Sequence, residues 1–137
     1  MNLRSLWDDI ATFRAMFPHM DARTLAHHWA DMIREEPGEL EAELRADPQD
    51  PAKICQEAVD TVWVTIGAAQ GAGVTYEQFV AMIGEVSRAN LAKDPPAQPG
   101  GKARKPPGWE GPNLVLAMAA EERPFDLPLC TCPFCTR

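Results

Sequence analysis

The sequence predicts an all-α protein, a compact bundle of four to five helices. Three observations carry that expectation. Apolar residues recur at helical intervals in separate segments, helix-start signals precede several of them, and no strand-like alternation of useful length occurs. In the first segment, Leu6, Ile10, Phe13 and Phe17 mark one face of a helix that ends at Pro18. The second follows Asp21, a side chain suited to an N-cap, and carries Leu25, Trp29, Met32 and Ile33. Pro37-Gly38 interrupts it, and a continuation through Leu40 and Leu44 runs to Asp47-Pro48. The third has the clearest start signal, Asp50 as N-cap with Pro51 at the first helical position, and it stops near Gly71 and Gly73. The fourth opens on Thr75-Tyr76-Glu77-Gln78, a capping-box pattern. It sets Phe79, Ile83 and Val86 on one face and reaches Asn90 and Lys93. Asn113 to Glu122 reads as one more short helix. Trp7, Trp29 and Trp63 fall on apolar faces and read as core.

The chain divides by composition into residues 1–93, a helical bundle, residues 94–122, a Pro/Gly/Lys-rich loop with a short helix that packs on the bundle or a neighbouring subunit, and residues 123–137, a cysteine-containing tail. At 137 residues, 45% hydrophobic and 24% charged, it is long enough for one domain with its own core. The longest apolar run, Leu114 to Ala120, is too short to span a bilayer, and the N-terminus lacks a signal-peptide layout. The expected location is therefore the cytoplasm. A net charge of −7, with no basic stripe rich in aromatics, argues against binding to duplex nucleic acid.

The chemistry concentrates in two acidic clusters with 17 residues between them: Glu35-Glu36-Pro37-Gly38-Glu39, then Glu57-Ala58-Val59-Asp60. Residues three or four apart share a helix face, so Glu36 pairs with Glu39 and Glu57 with Asp60. If the two segments pack as antiparallel helices, four carboxylates converge. Such a cluster repels itself unless cations neutralise it. Hard oxygen ligands suit Mg²⁺, or Mn²⁺ in its place, and Mg²⁺ held by carboxylates most often positions a phosphate-bearing substrate. Glu35 to Glu43 also reads as a solvated helix face. The second cluster resists that reading, because Ile54, Val59, Val62, Trp63, Val64 and Ile66 surround it with apolar residues.

The order E-E-x-x-E, then E-x-x-D, then Asn90-Leu91-Ala92-Lys93 resembles the MazG-like nucleotide pyrophosphohydrolases, the group allied to phosphoribosyl-ATP pyrophosphohydrolase, and above all the small single-domain versions of phages and actinobacteria. Gly101-Lys102-Ala103-Arg104-Lys105, Trp109 and Pro112-Asn113-Leu114 look like the loop that follows in those proteins, so the resemblance covers roughly residues 10 to 114. It implies an α-helical, Mg²⁺-dependent nucleoside triphosphate pyrophosphohydrolase, yielding monophosphate and pyrophosphate in a nucleotide-pool or house-cleaning role. It also implies assembly as a homodimer or homotetramer. By position, Glu36, Glu39, Glu57 and Asp60 would be metal ligands. Glu35 would be a fifth carboxylate, a ligand or an orienter of the attacking water, so Glu35 and Glu36 carry the catalytic assignment. Asn90 and Lys93, with Lys102 and Lys105, would meet the substrate. The alternative is a catalytically weak nucleotide-binding or protein-interaction module. Its main support is the unusual cysteine tail and Pro37-Gly38, since an interior proline costs about 3 kcal/mol and either kinks the helix or restarts it, rotating Glu35 and Glu36 relative to Glu39.

Cys130, Cys132 and Cys135 are three closely spaced thiols, one ligand short of a structural zinc site. A partner subunit, His19, His27 or His28 would have to complete a Zn²⁺ site. A mobile or redox-sensitive tail is the favoured reading, and Cys55 reads as a small core residue. His27 and His28 show no ligand spacing and read as surface or packing residues. Trp109 stands in a polar loop, either to stack on a nucleobase or to anchor the loop.

Overall fold

In a computed structural model, residues 2–16 and 21–119 are described. They form five helices: α1 Leu3–Ala15, α2 Ala22–Arg45, α3 Pro51–Gly71, α4 Tyr76–Leu91 and α5 Leu114–Met118. No strand occurs among the described residues, and the all-α expectation is met. None of their helices is long and apolar enough to cross a membrane. The end expected for the first helix at Phe17 and Pro18 lies outside the described residues, as do His19, Cys130, Cys132, Cys135 and the rest of the tail. The chain divides into two compact units, Met1–Tyr76 and Glu77–Arg137.

Local sequence sets the helix ends. Asn2 caps α1 by accepting from the Ser5 amide, while Ser5 Oγ accepts from the Asn2 amide, a reciprocal box that the apolar spacing alone did not reveal. Asp21 accepts from both the amide and the hydroxyl of Thr24 at the start of α2. Asp50 accepts from the Ala52 amide with Pro51 behind it, as its spacing predicts. At the end of α3, Gly73 takes φ +81°. Its amide donates to the Gln70 carbonyl and that of Val74 to the Ala69 carbonyl, the Schellman arrangement that satisfies carbonyls left free at a helix end.

In the first unit, α3 packs against both α1 and α2. Trp7, Ile10, Trp29, Val64 and Ile66 are buried, Ile10 and Ile66 almost completely. Phe13 meets Trp63 edge-on at 5.8 Å between ring centroids. Gln70 ties α1 to α3: its amide nitrogen donates to the Trp7 carbonyl at 2.8 Å, and its oxygen accepts from Arg14 at 3.2 Å. The closest approach is between α2 and α3. A Cβ on Gly67 would stand 2.7 Å from Cζ3 of Trp29, and one on Gly71 would stand 2.6 Å from its Nε1. Only glycine leaves the indole that room.

Three expectations need correction. The second helix is not interrupted: α2 runs unbroken from Ala22 to Arg45 with Pro37 inside it. The proline removes one hydrogen bond, but packing along α3 and helix-forming residues on either side hold the segment helical. Cys55 is exposed, not core. It shares a stripe of α3 with Val59 and Val62, themselves 57% and 48% exposed, so this apolar stripe is not covered in a single chain. Finally, α4 ends at Leu91, which puts Lys93 beyond the helix.

In the second unit, Ala89 and Ala117 are buried, and Gln78 donates its side-chain amide to the Met118 carbonyl. Glu85 accepts from Arg88 and from the Asn113 amide, and Arg88 also donates to the Gly111 carbonyl, clamping the end of the loop to α4.

The glycine contacts separate two roles. Gly67→Ala is expected to cost about 1–3 kcal/mol by overpacking against Trp29. Gly38→Ala, where a Cβ meets nothing within 4 Å, is expected to gain up to about 1 kcal/mol of helix stability. Urea unfolding followed by circular dichroism measures both, and equal effects of the same sign would contradict the packing described.

Candidate functional site

Continuity of α2 through Pro37 preserves the spacing the acidic cluster needs. Glu36 and Glu39 are one turn apart on α2, and Glu57 comes from the first half of α3. One carboxylate oxygen of each lies within 4.8 Å of the others. Glu36 and Glu57 are half-buried, Glu39 is exposed. Among the described residues this is the grouping with metal-ligand spacing, and it contains no histidine or cysteine.

The electrostatics follow from the crowding. Desolvation by burial, then the charges of Glu39, Asp60, Glu35 and Glu57, hold the Glu36 carboxyl above its ordinary value. Glu57 is also raised, by desolvation first, then by Glu39 and Asp60, by a hydrogen bond shared with Glu39, and by Glu43. Asp60 is not one of the three mutually close carboxylates, yet its charge bears on two of them. Glu35 is exposed beside Glu36 and contributes only its charge. Glu43, which the motif reading passed over, belongs to the same face. It lies one turn beyond Glu39, its charge reaches Glu57, and Lys53 Nζ stands 4.0 Å from its carboxylate. The i, i+4 interval from Glu39 was the signal for it.

Three carboxylate oxygens from two helices, each repelling the others, form an all-oxygen donor set that fits a hard divalent cation. The cation would offset the desolvation and repulsion that raise Glu36 and Glu57.

The remaining expected site residues lie in the second unit. Lys93 Nζ donates to Asn90 Oδ1 at 2.7 Å. Trp109 is half-buried, and its indole N–H donates to the Ala89 carbonyl at 2.7 Å. The side chains of Lys105 and Lys93 lie 4.5 and 5.5 Å from the Trp109 ring centroid. Lys102 is exposed. His27 and His28 are exposed, with His28 edge-on to Trp29.

Residues 9–90, more than half of the chain, match the family model described as phosphoribosyl-ATP pyrophosphohydrolase. A search of curated proteins finds no match to this chain.

Because both carboxyls hold protons more tightly in the native state than when unfolded, their contribution to stability without metal is fullest below about pH 4.5 and is lost as the pH rises through their raised values. In EDTA, the melting temperature of the wild type should therefore fall from pH 4.5 to 7. Glu57→Gln should flatten that slope and raise the melting temperature at pH 7. A melting temperature that climbs steadily across this range in both proteins would contradict the cluster.

Proposed function

The chain belongs to the phosphoribosyl-ATP pyrophosphohydrolase family, a group of hydrolases that act on nucleotide-like substrates, and we propose that it is a Mg²⁺-dependent nucleoside triphosphate pyrophosphohydrolase. The observation that carries the reading is the meeting of Glu36, Glu39 and Glu57 across α2 and α3 within the matched segment.

Glu36, Glu39 and Glu57, with Asp60 one turn along α3, would hold Mg²⁺ or Mn²⁺. Bound there, the cation would supply Lewis acidity and neutralise charge on the phosphate oxygens. Glu35 and Glu36 are assigned the proton of the attacking water. As the new oxygen–phosphorus bond forms at the α phosphorus, the bond to the bridging oxygen breaks. That oxygen leaves with pyrophosphate, and the nucleoside monophosphate remains. Asn90, Lys93, Lys102, Lys105 and Trp109 are assigned to substrate binding, where ammonium groups offset the charge of the phosphates. Like other phosphoryl-type reactions, this one draws mainly on positioning and electrostatics.

The protein is further proposed to act as a homo-oligomer in the cytoplasm. Val59 and Val62 on α3, with Ile33 and Leu44 on α2, give the first unit exposed apolar surface that a second copy would cover.

The test is pyrophosphate release from a panel of ribo- and deoxyribonucleoside triphosphates with Mg²⁺ or Mn²⁺. Turnover to monophosphate and pyrophosphate should vanish in EDTA and fall at least ~100-fold in Glu39→Gln and Glu57→Gln. Absence of turnover on every nucleotide, or full activity in both variants, would refute the assignment.

A further inference from the structure

Among the described residues, three side-chain atoms are buried from solvent without a hydrogen-bond partner: Arg14 Nε, Trp29 Nε1 and Thr61 Oγ1. An unsatisfied buried polar group costs free energy, so each calls for a reason. The first two belong to one packing contact, in which the Arg14 guanidinium lies 5.8 Å from the Trp29 ring centroid. Thr61 stands elsewhere, directly after Asp60 and one turn after Glu57 on α3. It borders the acids.

A threonine inside a helix commonly donates its hydroxyl to the carbonyl four residues back. Thr12 does so, to the Asp8 carbonyl at 2.9 Å, and Thr65 does so, to the Thr61 carbonyl at 2.7 Å. Thr61 leaves the Glu57 carbonyl unused, although its hydroxyl is shut off from water. Helix geometry says what lies beside it. Four residues advance about 6 Å along the axis and about 40° around it, so Thr61 and Glu57 share a face. Helical side chains also lean toward the N-terminus and cover the preceding turn, which for Thr61 is the turn that begins at Glu57.

Glu57 has a use for such a donor. Its side-chain hydrogen bond is to another acid, Glu39. A carboxylate that holds a metal is normally hydrogen-bonded in turn, and this outer contact fixes its orientation. A hydroxyl donor is suited to that place because it adds no charge to the site.

We propose that Thr61 is a positioning residue of the acidic site, whose hydroxyl donates to the Glu57 carboxylate when Glu57 holds a divalent cation and stays unpaired when it does not. The proposal rests on the cation reading of Glu36, Glu39 and Glu57 given above. The penalty of the unpaired hydroxyl then falls on the metal-free protein alone, and its relief adds to the affinity for the cation.

Thr61→Val keeps the shape of the side chain and removes the hydroxyl, whereas Thr61→Ser keeps the hydroxyl. Calorimetric titration of the full chain with Mn²⁺, and melting temperatures with Mn²⁺ and in EDTA, read the two states separately. In EDTA, Thr61→Val should melt at or above the wild-type temperature, because an unpaired polar group is gone. Its Mn²⁺ affinity should be about 10-fold weaker, and Mn²⁺ should raise its melting temperature less than that of the wild type. Thr61→Ser should bind Mn²⁺ nearly as the wild type does. Glu57→Gln should weaken binding more, and in that background Thr61→Val should bring no further loss. A full additional loss there would assign the hydroxyl to another group and overturn the pairing. Wild-type Mn²⁺ affinity in Thr61→Val would overturn the proposal and leave the carboxylates as the cation site. Thr61→Val that melts well below the wild type in EDTA would also overturn it, since the hydroxyl would then serve the fold. A wild type that binds no Mn²⁺ would overturn it together with the cation reading. Absence of turnover on every nucleotide with the expected Mn²⁺ pattern would refute the catalytic assignment alone.

Discussion

The close approach of Trp29 to Gly67 and Gly71 fixes the register of α2 against α3, and the acidic site depends on that register. The helices run antiparallel, so each step forward on α2 is matched by a step back on α3. Seven residues take Trp29 to Glu36, and seven take Gly67 back to Asp60, whose charge Glu36 feels. Three more take Glu36 to Glu39 and Asp60 to Glu57, which share a hydrogen bond. Four more take Glu39 to Glu43 and Glu57 to Lys53, which stand 4.0 Å apart. One steric fit therefore aligns four facing pairs in a row. The last is of opposite charge, so the run of facing carboxylates ends there. A cluster of like charges has no tendency to assemble itself, and the free energy that brings it together has to come from apolar packing elsewhere on the same two helices.

Pro37 is compatible with that alignment because of where it falls. Glu36 and Glu39 are useful to each other only if one helical turn separates them, and a break between them would have turned their carboxylates apart. The proline leaves the Ile33 carbonyl without its helical donor, a local cost. The helix continues because α2 extends through Trp29 before the proline and to Arg45 after it, and because α3 runs alongside. Propensity set against packing along a long helix is a contest that packing usually wins. Gly38, with open space around it, adds flexibility cost without steric purpose visible in the first unit.

Most of the helical architecture was legible because it is written in local chemistry. Asp50-Pro51, Asp21 and Gly73 act within a few residues of themselves, and each does in the fold what its position suggests. Motif order was likewise enough to nominate Glu36, Glu39 and Glu57. What periodicity did not disclose is which apolar face of a helix is covered. The segment around Glu57 is as apolar as a core strand of sequence, yet Val59, Val62 and Cys55 are exposed, because α1 and α2 do not cover that side of α3. Glu43 was missed because the motif ends at Glu39, although its spacing placed it on the same face. Trp109 stayed ambiguous because its partner is a main-chain carbonyl, which no side-chain pattern advertises.

The two units also treat charge in opposite ways, and the contrast bears on what each is for. Where stability alone is at stake, opposite charges pair, as Arg45 does with Glu41 and Arg88 with Glu85. At the acidic site the chain sets carboxylates against each other, and at Trp109 it holds two ammonium groups over one ring, although surplus acids were available to neutralise them. A salt bridge would have offset each lysine's charge, whereas here the ring positions the ammonium groups and Lys93 spends a donor on the neutral Asn90 amide oxygen. Neither arrangement is what folding would select for itself. In the first unit the crowded carboxylates leave a concentration of negative charge that a hard cation would offset.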